Sequence, residues 1–185
     1  HSKSGSPIKF KKDDVIFNEY SKGFKKYVIG SNLKRYSLVF ENQYMDYESK
    51  KDYFHRPKFN LLFESNKLIL RRTSGNHNSI IAYYDKEKHY TNDSMMHLIR
   101  WSDEILLYQK PDKRWKINLS FNLNEKFILS LICSKLTTYY FSKFLSTDTL
   151  QGAYSSIYPE DVREFPIIKI SKEKQNYLIQ KADLM

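Results

Sequence analysis

The sequence predicts a mixed α/β (α+β) fold in which a twisted, mostly antiparallel sheet packs on a long core helix and an amphipathic helix closes the chain. Three observations carry this. Short runs of β-branched and aromatic residues, separated by turn residues, fill the middle of the chain ("KLILRR", "IIAYYD", "SMMHLIRW"). A single stretch after Asn124 repeats apolar residues at three- and four-residue spacing. With 185 residues, 41% hydrophobic, there is enough chain for one core, and 15 Tyr and 12 Phe make that core aromatic.

Taken in order, the chain opens with a polar, basic lead that frays up to about Pro7. "YVIGSNLKRYSLVF" (27–40) reads as a short strand, a turn at Gly30, and Ser31 or Asn32 capping a helical turn that presents Lys34 and Arg35. Residues 41–58 are charged and aromatic and read as a helix ending at "HRP". "KLILRR" and "IIAYYD" are two strands joined by a polar loop at 73–79, and "KHYTNDSMMHLIRW" adds a turn at Asn92 and Asp93 and a further strand. "EILLYQ" and "WKINLSF" read as two more strands.

Asn124 caps the long helix, whose face is Phe127, Ile128, Leu131, Ile132, Leu136, Tyr139, Tyr140 and Phe144. Beyond a loop holding Gly152, Pro159 begins one helical turn, Pro166 stands in an extended stretch, and Ser171 caps the last helix, "KEKQNYLIQKADLM". The chain divides into a basic lead (1–26), one domain (27–170) and the start of a C-terminal helix (171–185). Starting at a histidine and stopping inside a helix, it reads as part of a longer protein.

Catalytic signatures are missing. The five glycines form no GxGxxG or GxxxxGK[ST] cradle, and no Asn-Pro-Pro-aromatic loop is present. Pro111 and Asp112 are not followed by an acidic-x-Lys triplet, so they read as a turn. His1, His55, His77, His89 and His97 lack the pairing of a metal site, no GxSxG elbow occurs, and Cys133, the single cysteine, sits among apolar residues as packing. No apolar run approaches the roughly 18 residues of a membrane span, and a cytoplasmic location is expected.

Recognition chemistry remains. The net charge of +10 favours a polyanionic partner. Arg71 and Arg72 close a strand beside the loop "TSGNHNS", and strand alternation sends them to opposite faces, so only one enters a groove easily. A guanidinium fits guanine O6 and N7, and an Asn amide fits adenine, so an arginine with Ser74, Asn76, His77 and Asn78 on one loop has the means to read bases. Lys34 and Arg35 suit phosphates. Gln151, Tyr154 and Ser155 supply donors, acceptors and a stacking ring on the later loop. A solvated strand end and a plain helix-to-helix connection account for the same residues, and the chemistry alone leaves both readings open.

The order of segments adds a resemblance. "YVIGSNLKRY", "FESNKLILRRTSG", "AYYDKEKHYTNDSMMHLI", "FILSLICSKLTTYYFSKF" and "GAYSSIYPEDVREFPI" resemble, in turn, five blocks of the TaqI-like C-terminal specificity (target recognition) domain of adenine-specific DNA methyltransferases and type II restriction-modification enzymes. That domain is related in plan to the target recognition halves of type I restriction specificity subunits. Asn32 stands where the family commonly has Asp, and "CSKL" replaces a frequent Asn-Ser-Lys.

The resemblance implies a non-catalytic module that reads a short sequence in double-stranded DNA. A separate methyltransferase or nuclease domain of the parent chain would then flip the target adenine, and S-adenosylmethionine is expected there and no cofactor here. The C-terminal helix, through Leu178, Ile179 and Ala182, would pack on its own domain or serve in dimerisation. The alternatives are an RNA-binding or protein-interaction domain using the tyrosine-rich surface, or a small nuclease with an unusual centre.

Overall fold

A computed structural model describes residues 11–51, 54, 59–111, 113, 123–146, 149–150 and 154–185. In chain order the strands and helices are β1 (Ile16–Phe17), β2 (Lys25–Val28), β3 (Leu33–Lys34), β4 (Ser37–Leu38), β5 (Tyr44–Met45), α1 (Leu61–Glu64), β6 (Lys67–Arg71), β7 (Ala82–Asp85), β8 (Tyr90–Thr91) and β9 (Met95–Leu98). There follow α2 (Asp103–Leu106), α3 (Glu125–Ile132), α4 (Lys135–Tyr140), β10 (Thr149–Leu150), β11 (Tyr154–Ser155), α5 (Pro159–Arg163) and α6 (Lys172–Asp183).

The fold is mixed α+β, with small and mainly antiparallel sheets. β6 is the centre of a three-stranded antiparallel sheet, β7-β6-β9, with Leu70 opposite Ala82 on one side and Met96 on the other. A second sheet has the order β1-β5-β2-β8, in which β2 and β8 form a parallel pair. Ile16 of β1, from the basic lead, is buried in it. β3 with β4 and β10 with β11 form two short antiparallel pairs.

β6 is covered on both faces, which is why "LIL" shows no polar alternation. Leu68 and Leu70 pack with Ile80, Ala82, Leu129, Ile132, Cys133, Phe141, Ile157 and Phe165 on the helical side. Ile69 faces the other way, into Val28, Leu33 and Met95. A third cluster is aromatic: Tyr27, Tyr47, Phe63 and Tyr90 close over Val15, Ile16 and Met45, and the Phe63 and Tyr90 rings stack at 4.3 Å.

The start of β6 is anchored electrostatically. Lys67 and its cross-strand partner Asp85 are both fully buried, and Lys67 Nζ donates to Asp85 Oδ2 (2.6 Å) and to the Phe63 carbonyl (2.6 Å). Asp85 also accepts from the His89 amide (2.9 Å), the Glu87 amide (3.0 Å) and His89 Nδ1 (2.9 Å). Burial alone would raise its pKa; the His89 hydrogen bond and the Lys67 ammonium outweigh burial and hold the carboxyl at about 2. The other end of β6 carries the polar loop at 73–79.

Several expected elements take another form. Residues 41–51 hold β5 in place of a helix, because Tyr44 and Met45 pair with both β1 and β2, and Asp46 captures the Ser49 amide (3.3 Å). The expected end of that helix, "HRP", lies outside the described residues, as does the strand expected at "WKINLSF". "EILLYQ" begins as helix α2: Ser102 Oγ accepts from the Ile105 amide (3.3 Å), with Asp103 and Glu104 in the first turn.

The helical turn near Gly30 closes early, over Gly30–Asn32, where Asn32 Oδ1 accepts from the Ile29 amide (2.8 Å). Lys34 and Arg35 therefore stand on the following hairpin, whose corner is Tyr36 at φ 67°.

The long helix breaks after Cys133. Ser134 Oγ accepts from the Thr137 amide (3.0 Å) and restarts it as α4, which runs into a π turn at Phe141–Leu145. The break turns the buried face onto Cys133, Thr137 and Phe141, so Leu136, Tyr139 and Phe144 of the expected stripe are 70, 57 and 68% exposed. Asn124 and Ser171 cap their helices as expected, and Pro159 opens α5. α6 lies along α3, joined by the Lys126–Asp183 ion pair, with Gln175, Leu178, Ile179 and Ala182 half-buried.

Candidate nucleic-acid interface

Two distant segments meet where β6 ends. The chain leaves the sheet with the Arg71 amide bonded to the Ile81 carbonyl (3.0 Å) and the Arg72 amide to the Ser94 carbonyl (2.9 Å). It then pairs with residues 155–157: Thr73 bridges Ser156, the Ser74 amide donates to the Ser155 carbonyl (2.9 Å), and the Ile157 amide donates to the Arg72 carbonyl (2.7 Å). Beneath lies a buried polar knot. Ser74 Oγ accepts from the Ser155 amide (2.9 Å), and Asn78 Oδ1 accepts from Ser74 Oγ (3.3 Å) and Ser155 Oγ (3.2 Å).

Asn76–Asn78 form the tip as a single tight turn, with His77 and Asn78 both left-handed at φ 55° and 56°. Asparagine tolerates this conformation better than most residues, and here the Asn78 amide is held by the Ser74 and Ser155 hydroxyls. Gly75 makes room for its neighbours: a Cβ there would lie 2.6 Å from Ser79 Oγ and 2.9 Å from Ile81 Cδ1, so those side chains would have to turn aside. Asn76 and His77 are exposed, and the half-exposed Tyr154 hydroxyl donates to Asn76 Oδ1 (3.3 Å).

The two arginines separate by role. Arg71 folds onto its own loop, its Nε donating to the Thr73 carbonyl (2.8 Å) and an Nη to the Ser74 carbonyl (2.9 Å). Burial lowers its pKa from the ordinary arginine value. A Cβ on Gly30 would come within 3.4 Å of the Arg71 stem and 3.0 Å of Ser94 Oγ, so that glycine makes room for it. Arg72 reaches outward, with one long contact to the Asp93 carbonyl (3.3 Å) and its guanidinium 6.0 Å from the Tyr158 ring centre.

The β3–β4 hairpin docks at the same end of the sheet. The Tyr36 amide donates to the carbonyl of Ala82, the residue opposite Leu70. Lys34 and Arg35 are exposed; Arg35 sits 5.3 Å from the Tyr36 ring centre and donates to the Cys133 carbonyl at the helix break. The fold thus gathers Arg71, Arg72, Ser74, Asn76, His77, Asn78, Tyr154 and Ser155 into one bonded cluster, with Lys34 and Arg35 on the adjoining hairpin. Gln151 lies outside the described residues.

With this geometry in place, comparison with known proteins becomes informative. The profile of the TaqI-like C-terminal specificity domain matches residues 25–167. The chain belongs to that family. No curated protein matches it. The matched span of the specificity domain runs from β2 past α5 and contains the whole loop cluster. Such a domain is not itself catalytic. Among the described residues no three His, Cys, Asp or Glu side chains could hold a metal ion together, and no helix is long and apolar enough to cross a membrane.

Sequence reasoning missed Tyr158, Asp93 and Ser94 as neighbours of the arginines. "YPED" was legible as a helix start and "TNDS" as a turn, and both are so, but no local signal says which arginine they serve. The order of the five blocks was the only long-range signal present.

Proposed function

We propose that this specificity domain reads a short sequence in double-stranded DNA through the loop cluster at the end of β6, on behalf of a catalytic domain elsewhere in its parent chain. Arg72, Asn76, His77 and Tyr154 face the bases, Lys34 and Arg35 hold phosphates, and Ser74, Asn78, Ser155 and Arg71 form the frame. Gln151 joins the readers on the sequence reading alone. The observation that carries the proposal is the convergence of 71–78 with 154–158, far apart in sequence, into one rigid base with polar side chains left outward at its tip. The net charge of +10 supplies the attraction to a polyanion.

The parent is proposed to be an adenine-specific methyltransferase of a restriction-modification system, with or without a fused endonuclease, working in the cytoplasm. S-adenosylmethionine belongs to that catalytic domain. Here Gly23, Gly30 and Gly75 stand singly in separate turns, and among the described residues no strand leads through a glycine-rich turn into a helix, so the described residues offer that cofactor no such cradle. Dimerisation through α6 would use the side of that helix turned away from α3.

The test is fluorescence anisotropy on duplexes selected from a random pool. One enriched sequence should bind in preference to scrambled duplex. Its log affinity should fall with log salt at a slope of about −4 to −9, for about five to ten phosphate contacts. Equal binding to all duplexes, or preference for single strands or RNA, contradicts the proposal.

A further inference from the structure

We infer that the tip of this loop cluster reads the guanine of a G·C pair through Arg72, and that neither Asn76 nor Asn78 reads adenine. The inference rests on the duplex-reading proposal above and narrows what that site accepts.

Adenine offers a major-groove reader one acceptor, N7, and one donor, the N6 amino group. Asparagine matches it only by presenting its amide oxygen and nitrogen together. Both tip asparagines have that oxygen engaged. Asn78 Oδ1 accepts from two serines. Each serine hydrogen is turned toward Asn78 Oδ1, an oxygen that can only accept, while Ser74 Oγ accepts from the Ser155 amide (2.9 Å) and Ser155 Oγ from Ser146 Oγ (2.6 Å). Asn76 Oδ1 accepts from the Tyr154 hydroxyl (3.3 Å), so an adenine amino group would compete with Tyr154 for it. Breaking the Asn78 contacts would strand buried hydroxyls, a penalty that a single adenine contact does not offset.

Three backbone acceptors of the loop are engaged as well. Arg71 occupies the Thr73 and Ser74 carbonyls, and the Asn76 carbonyl accepts from the Ser79 amide (3.2 Å). At Arg72 the presented groups are donors alone, and guanine, with O6 and N7 side by side, is the base edge that offers two acceptors.

Arg72 is the arginine with a fork to spare. One of its five donors makes the long Asp93 contact, and the Tyr158 ring backs the guanidinium. Arg71 has committed Nε and an Nη to its own loop and is the more restrained of the two. An adenine or cytosine placed at Arg72 would oppose an amino group to a guanidinium, donor against donor, so the wrong pair is rejected as well as the right one held.

The test uses the 185-residue chain and its selected duplex. Each guanine in turn is replaced by 7-deazaguanine, which deletes the N7 acceptor and leaves base pairing intact. One replacement should weaken wild-type binding on the order of tenfold, the scale of a two-pronged arginine contact. The same replacement should leave Arg72→Ala unchanged, while Arg72→Lys, whose ammonium reaches N7 without the fork, should keep only part of the sensitivity. Circular dichroism confirms that both variants are folded. Sequence-selective binding in which no guanine is sensitive, or in which the full sensitivity survives in Arg72→Ala, overturns the guanine assignment and leaves duplex reading intact. Indiscriminate binding overturns both.

Discussion

Asn78→Ala isolates the strut beneath the reading loop. The substitution removes two neutral hydrogen bonds, to Ser74 Oγ (3.3 Å) and Ser155 Oγ (3.2 Å), each contributing about 1 kcal/mol. It also places alanine at φ 56°, where a residue with a Cβ and no compensating amide costs about 1 kcal/mol more. The expected loss is about 2–3 kcal/mol. Asn78→Gly loses the same bonds but suits the left-handed backbone, so it should be less damaging than alanine by about 1 kcal/mol. Urea unfolding of the three proteins gives both differences, provided their m-values agree. Amide exchange at Ser155, whose N–H bonds to Ser74 Oγ, reports whether the loss is local. An alanine variant as stable as wild type, or a glycine variant less stable than alanine, would refute the reasoning.

Asp85→Ala leaves the fully buried Lys67 without its counter-charge, and urea titration should show a loss of about 3–5 kcal/mol; replacing both residues by apolar ones should cost much less. With Asp85 held at about 2 against an ordinary 3.8, its pairing contributes about 2 kcal/mol above pH 4 that disappears as pH falls toward 2. Acid unfolding monitored by tyrosine fluorescence should show this, and Asp85→Asn should flatten it. Burial pushes the Cys133 thiol up to about 11 despite the neighbouring Arg35, so a thiol reagent at pH 8 should label the native chain very slowly and the urea-unfolded chain fully.

Much of the fold could be read because local chemistry and tertiary packing agree there. Asn124, Ser171 and Pro159 act where sequence rules put them, and the uninterrupted "LIL" of β6 reflects a strand covered on both faces. Reading failed where a distant partner decides. Nothing within residues 41–51 announces that Tyr44 and Met45 pair with two strands. The helix after Asn124 keeps its apolar period through Ser134, yet that serine restarts it as a cap and leaves Leu136, Tyr139 and Phe144 outside.

The candidate site divides the same way. Alternation along a strand separated Arg71 from Arg72 but could not assign them, since that depends on Gly30, Asp93 and Tyr158. Asn76 and Asn78 were visible as polar loop residues. Only the approach of Tyr154 and Ser155 reveals that their amide oxygens are engaged.

The most direct measurement of the central claim is hydrogen–deuterium exchange of the chain with and without its selected duplex. The account predicts slowed exchange at residues 71–79 and 154–158 and on the hairpin at 33–38, with β1, β5 and the outer face of α6 unchanged. Protection confined to α6 or to the exposed face of α4, with the end of β6 exchanging as in the free protein, would contradict it.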